Sequence, residues 1–275
     1  MRGELDGLVR RADRLGGTLG VVAHDLGTGE RAEMNAGRRF TSASVIKLAV
    51  MATVLAEAGA GGLSLDDRVP APPDARVPGS GVIKDLADAA EFSVRDLVTL
   101  MIIVSDNTAT NLLIDLVGRD AVNAWCARRG LHGTVLARVM MDAAARERGD
   151  ENLTIPADVA ALLTGLVRGE LLGEEGTAFA LDVLARQQVN DRLPRHLPPG
   201  VTLAHKTGEL ASVCHDAGIV LAEGRDPIIL VAMTEGIDSE HEAAALIAET
   251  GRAVYTATGL TPPPHPSPTH PSPTP

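Results

Sequence analysis

The sequence predicts an α+β fold: an antiparallel sheet flanked by N- and C-terminal helices, with an all-helical lobe inserted between its strands. Three observations predict it. Strand-like runs lie at both ends of the chain, at 18–25 near the start and at 201–206, 213–222 and 227–234 near the end. The stretch between them carries helical periodicities separated by Gly, Pro, Ser and Asp. Amphipathic segments precede the first strand and follow the last. The expected organisation is one unit over 1–258, with a sheet lobe of about 1–42 and 198–258 and a helical lobe of about 43–197, followed by a Pro-rich disordered tail over 259–275.

The elements follow in order. Residues 1–17 place Leu5, Leu8, Ala12 and Leu15 on one side of a helix. The run TLGVVAHD from Thr18 reads as a strand, Gly27-Thr28-Gly29 as a turn, and 30–35 as the return strand. Thr41 and Ser42 offer N-cap oxygens for a helix over about 43–58. That helix is apolar nearly all round, through Val45, Ile46, Leu48, Val50, Met51 and Val54, so it belongs in the interior. Residues 69–81 form a Pro/Gly-rich loop. Ser93 and Asp96 resemble a capping box opening a helix to Val104. After Ser105-Asp106-Asn107 a further helix aligns Ala109, Leu112, Leu113 and Leu116, and Gly118 closes it. A shorter helix covers 120–129. Thr154 with Pro156 starts another, striped by Val159, Leu162 and Leu166, and 174–186 is helical as well. Ser239 and Glu242 cap the last helix, which runs to about Thr256. From 261 onward Pro, His, Ser and Thr alternate, a composition that forms no core.

Composition narrows the function. A chain of 275 residues with 45% hydrophobic and 22% charged content can bury a large core. Aromatics are 2%, so aliphatic residues and Met must build it. A net charge of −11 argues against a nucleic-acid partner, which requires clustered cations. No segment reaches membrane-spanning length. The first seventeen residues lack the continuous apolar run of an export leader, so the expected compartment is the cytoplasm unless the start of the chain lacks a leader that was removed. Cys126 and Cys214 lack metal-ligand spacing and read as free core thiols. The histidines show no such spacing either, and His215 reads as a strand-edge or surface residue, so no metal and no cofactor is expected.

The chemistry concentrates around lysine. Lys and Arg total 25, and only Lys47, Lys84 and Lys206 are lysine. Lysine can lose its proton when desolvated, whereas arginine cannot. Ser44 and Lys47 stand three apart at a helix start, on one face. Free N–H groups there suit an oxyanion, and a neutral Lys47 can take the Ser44 proton. Ser105-Asp106-Asn107 offers a hydroxyl for proton transfer and an amide for a substrate carbonyl, although the same residue types also make a plain capping turn. Lys206-Thr207-Gly208 ends a strand-like run, with a hydroxyl for a carboxylate and a glycine permitting close backbone approach.

S-x-x-K, S-D-N and K-T-G in that order resemble the signature of class A β-lactamases and penicillin-binding proteins, and the resemblance covers about residues 1–258. It implies a β-lactamase/transpeptidase-like fold and a serine hydrolase acting on amide, ester or β-lactam substrates, either small molecules or peptides. It implies Ser44 as the acylated nucleophile, Lys47 as its proton relay, and Ser105 as proton donor to the leaving nitrogen. Asn107 binds the substrate amide, Lys206 and Thr207 a carboxylate, and the N–H groups of Ser44 and Glu209 beside Gly208 form the oxyanion hole. One departure stands out. The family's deacylating glutamate belongs to an E-x-x-L-N run. Alignment on Thr134 and Pro156 puts Val139, Met140 and Met141 at the glutamate and Ala143 and Ala144 at Leu-Asn. Asp142 is the nearest carboxylate, a candidate base with a shorter reach. The sequence also lacks an aromatic residue near 78–83, where many class A enzymes wall the substrate cleft. The runs around Met140 and from His215 to Ile219 look like bacterial β-lactamase-related serine hydrolases. The departure keeps two other functions open: a D,D-peptidase or acyl transferase that deacylates slowly, and a non-catalytic ligand-binding module on the same fold. The oligomeric state stays open.

Overall fold

Alternation along the strands sorts the side chains into two cores. The computed structural model describes residues 1–87 and 91–260, so the Pro-rich tail expected from 259 lies, from residue 261 on, outside the described residues. After helix α1 (Arg2–Arg14), strand β1 (Thr18–Asp25) sends Leu19, Val21 and Ala23 to one side and Val22 to the other, as the two-residue period of a strand requires. β2 (Arg31–Met34) pairs antiparallel with it, and β3 (Phe40–Thr41) follows. The chain then enters the helical part through α2 (Lys47–Gly59).

That part contains β4 (Arg68–Pro70), β5 (Glu91–Ser93), α3 (Val94–Ile103), α4 (Asn107–Val117), α5 (Arg119–Arg128), α6 (Ala143–Glu147), β6 (Leu153–Thr154), α7 (Pro156–Val167) and α8 (Glu174–Ala185). The chain returns to the sheet as β7 (Thr202–Leu210), β8 (Val213–Leu221) and β9 (Ile228–Glu235), and ends in α9 (Glu240–Ala257). The sheet order is β2-β1-β9-β8-β7, antiparallel throughout. α1 and α9 cover one face through Leu5, Leu246 and Val254 against Leu230 and Ala232. The helical part covers the other face, where Ile229, Val231 and Met233 join α2 and α7 in one core. α2 is buried at every position from Lys47 to Leu55, which fits its apolar circumference.

Several local expectations need correction. Ser42 makes no cap for α2. A 3-10 turn (Ala43–Ile46) intervenes, because Thr41 pairs with Leu153 in the β3–β6 ladder. The helix after Pro156 has Ile155 at its N-cap, and Thr154 lies buried in β6. K-T-G lies inside β7 rather than at its end, since the β7–β8 pairing continues to Leu210↔Val213. The loop at 69–81 begins as the short β4–β5 pair, and residues 143–147 form α6. His215 is fully buried on the interior strand β8, with Nε2 2.7 Å from Thr41 O. Both cysteines are free and buried, and burial raises their thiols to about 11 (Cys126) and about 12 (Cys214). No helix of the described residues is long and apolar enough to cross a membrane.

Candidate active site

Three separate stretches of sequence meet at one cleft. Ser44 sits in the 3-10 turn ahead of α2, following Ala43, whose φ of 44° is left-handed. β7 passes directly over this turn. A Cβ added at Gly208 would lie 3.2 Å from both Ser44 N and Ala43 Cβ, closer than side chains normally pack. The glycine of K-T-G therefore lets the strand close on the serine. Lys47, one turn further on, has no exposed surface. Its Nζ lies 2.8 Å from Ser105 O, 3.0 Å from Ser105 Oγ and 2.9 Å from Asn107 Oδ1.

Burial, reinforced by the positive charge of Lys206, pushes Lys47 well below its ordinary value, and Asp106 opposes the shift. Desolvation thus favours the neutral amine, the form able to take a proton from a serine. Lys206 is also fully buried and lowered to about 7, chiefly by desolvation, with Asp216 raising it and Arg192 lowering it. Its Nζ donates to Thr207 O at 2.8 Å.

Ser105 has φ 55°, a strained backbone of the kind that gathers at functional sites. Asp106 fixes it. Its Oδ1 caps α4 by accepting from Ala109 N at 2.9 Å, and its Oδ2 accepts from Val82 N and Ile83 N at 2.7 and 2.9 Å. Asn107 completes the clamp, donating from N to Ser80 O at 3.0 Å and from Nδ2 to Pro78 O at 3.2 Å. The Pro/Gly-rich loop is thereby fastened across the S-D-N turn, which serves as the cap of α4 through Asp106.

The opposite wall is the segment from 138 to 152. Asn111, on α4, holds it by its backbone: Oδ1 accepts from Met140 N at 2.7 Å and Nδ2 donates to Met140 O at 3.0 Å. Asn152 Oδ1 accepts from Ala137 N and Arg138 N, and Arg138 pairs with Glu151 at 2.7 Å. The cleft between the walls has a volume of about 280 Å³, and Ser44, Asn107, Met140, Met141, Asp142 and Glu209 are among its lining residues. The Asp142 carboxylate caps α6, accepting from Ala145 N at 2.9 Å. Among the described residues no three His, Cys, Asp or Glu side chains cluster where an ion could sit.

Ser44, Asn107 and Glu209 therefore line one cleft, Lys47 reaches Ser105 and Asn107, and β7, which carries Lys206 and Thr207, passes against the Ser44 turn at Gly208. Sequence reasoning missed Arg192, Asn111 and Asp216. Arg192 is buried, pairs with Glu209, and donates to Gly208 O and His215 O at 3.2 Å. Asp216 accepts from Leu193 N and lies 2.7 Å from His205 Nδ1. One arginine among 22 gives no sequence signal. Asn111, in the helix that S-D-N opens, shares its face with Asn107, Thr108 and Asp115 and stands off the apolar stripe, so nothing in the sequence singles it out.

A profile of the beta-lactamase enzyme family matches residues 3–258. A beta-lactamase of Streptomyces fradiae is 32% identical over 270 residues, covering 94% of this chain and 86% of that protein. The crystal structure of a beta-lactamase from Sphaerobacter thermophilus is similar with a TM-score of 0.89 at 36% identity, covering 95% of this chain and 98% of that one. A leucine-to-glutamate variant of PBP-A, solved as its acyl-enzyme complex with penicillin G, is similar with a TM-score of 0.85 at 28% identity, covering 93% and 96% of the two chains.

Proposed function

Since the chain belongs to the beta-lactamase enzyme family and is a serine hydrolase of the class A type, we propose that it works through an acyl-enzyme on Ser44. Ser44 Oγ attacks the carbonyl carbon of an amide, ester or β-lactam, and its proton passes to neutral Lys47. The oxyanion is held by the N–H groups of Ser44 and Glu209. Ser105, hydrogen-bonded to Lys47 Nζ, hands the proton on to the leaving nitrogen, and the carbonyl–nitrogen bond breaks. Lys206 and Thr207 receive a substrate carboxylate. The observation that carries this reading is the burial of Lys47 within hydrogen-bond reach of Ser105 and Asn107, one turn after Ser44.

The second wall supports a narrower reading: the acyl group leaves slowly. Hydrolysis needs a base within reach of a water beside the ester. The segment facing the cleft offers Met140 and Met141, and its two lining carboxylates are engaged, Asp142 with Ala145 N and Glu151 with Arg138. A slowly hydrolysed acyl-enzyme favours transfer to an amine, the chemistry of a peptidase or acyl transferase.

Intact-mass spectrometry during exposure to penicillin G tests both readings. The expected result is one covalent adduct, absent in Ser44→Ala and persisting after free penicillin is removed. An adduct that forms equally in Ser44→Ala overturns the nucleophile. Rapid release of penicilloic acid overturns slow deacylation alone.

A further inference from the structure

Met141 occupies a singular position. The backbone is pinned on one side by Asn111 at Met140 and on the other by the Asp142 cap on Ala145. Between these pins Met141 takes φ 63°, a left-handed conformation in which an unbranched apolar residue is uncommon. Its side chain is not buried in compensation. It is 47% exposed and lines the cleft that contains Ser44. The thioether reaches the opposite rim: a Cβ added at Gly79 would lie 3.3 Å from Met141 Sδ, 3.7 Å from its Cε and 2.7 Å from Asn107 Nδ2. Gly79 has φ 86°, so the rim is built without a side chain where the thioether lies beside it.

Most charged groups of the cleft have partners. Glu209 is paired with Arg192, Arg138 with Glu151, and Asp142 with the α6 backbone. Arg146 lies 3.8 Å from Glu151 and is 59% exposed to solvent. The apolar side chains left to meet a bound acyl group are Ala43, Met140, Met141, Ala143 and Leu210, beside the uncharged polar Ser80, Asn107 and Asn152. We infer that Met141 is a specificity-determining residue, whose thioether lies on the acyl portion of the substrate and selects apolar acyl groups. A flexible, polarisable side chain moulds itself to acyl groups of different shape, in place of the rigid wall an aromatic would make. The inference rests on the acyl-enzyme reading.

The test uses p-nitrophenyl esters that differ only in the acyl group: acetate, hexanoate and the anionic monoester of glutarate. In acylation the Ser44 Oγ–acyl bond forms, the acyl–oxygen bond to nitrophenolate breaks, nitrophenolate leaves, and the Ser44 proton goes to Lys47. The burst of nitrophenolate, corrected for each ester's reactivity with hydroxide, gives the acylation rate, and intact mass locates the adduct. The full chain is expected to favour hexanoate over glutarate by about tenfold or more. Met141→Gln, similar in length but polar, is expected to erase most of that preference, and Met141→Leu to keep it, with thermal unfolding confirming that each variant folds. An unchanged preference in Met141→Gln, or a wild-type preference for the anionic ester, overturns the inference. Adducts that form on Ser44 regardless of acyl polarity sink this inference and leave the acyl-enzyme reading standing. If no ester modifies Ser44, the acyl-enzyme reading has failed and this one with it.

Discussion

The two walls of the cleft are made in different ways. One wall is built from regular elements: the start of α2, the S-D-N turn into α4, and β7, with Lys47 and Lys206 both fully buried. Two lysines can be stripped of water only where helix and strand pack around them, because desolvating a charge in a mobile loop is opposed by hydration at every fluctuation. The other wall is a segment held by side chains that grip its backbone, Asn111 at Met140 and Asn152 at 137 and 138. Such a grip is indifferent to the side chain at the gripped position. The shape of this wall is therefore fixed, while the chemistry it presents can change with one residue. On the proposed mechanism, acylation rests on the wall that cannot vary cheaply, and removal of the acyl group on the wall that can.

The largest expected effect breaks the first wall. Lys47→Arg keeps a cation and is expected to lower the acylation rate by at least about a thousandfold, since a guanidinium cannot take the Ser44 proton. Stopped-flow acylation with a chromogenic cephalosporin checks it, and activity near wild type would remove Lys47 from the proton path. The next effect rewrites the second wall. Met140→Glu puts a carboxylate on a backbone that Asn111 holds, and deacylation is expected to quicken about a hundredfold, the ordinary contribution of a positioned general base. The decay of the penicillin adduct by intact mass measures it. An unchanged lifetime would mean that position 140 does not present its side chain to the ester.

This asymmetry also explains what the sequence made legible. The fold was readable because β9 is an almost continuous apolar run, β1 is apolar from Leu19 to Ala23 and α2 is apolar on every side, so burial leaves a compositional trace. The candidate residues stood out by spacing, Ser44 and Lys47 one helical turn apart, and the structure brings Lys47 within hydrogen-bond reach of Ser105 and Asn107. Arg192, Asp216 and Asn111 were not readable, because each acts through a contact distant in sequence: Arg192 with Glu209, Asp216 with His205, and Asn111 with a backbone 29 residues away. His215 was misplaced for the same reason, since its burial follows from β9 pairing outside β8. The N-cap at Ser42 failed because a two-residue ladder to Leu153 competed for the same backbone.

A smaller effect sharpens the first wall by pH. Burial lowers Lys206 to about 7, so its ammonium is present below that pH and lost as pH rises through it. For a substrate carrying a carboxylate, acylation kcat/KM is expected to fall above pH about 7, while burial shifts Lys47 toward the neutral amine. Lys206→Arg keeps its charge and is expected to move that alkaline fall to higher pH. A pH profile for penicillin G beside one for an uncharged ester measures it. If both substrates show the same alkaline limb in the wild type, Lys206 acts on the reaction itself rather than on carboxylate binding.

The smallest effect probes the second wall. Met141 holds a left-handed backbone that glycine adopts without strain, and its side chain is half exposed. Met141→Gly gains by relief of that strain, loses by the greater freedom of glycine in the unfolded chain, and forfeits little packing. The balance is expected to be stabilising by about 1 kcal/mol, a rise in Tm of about 2 °C for a domain of this size. The same variant is expected to lose acyl selectivity. If Met141→Gly is instead destabilised by more than this, the thioether's contact with Gly79 is what holds the two rims together, and the residue serves the structure of the cleft rather than its choice of substrate.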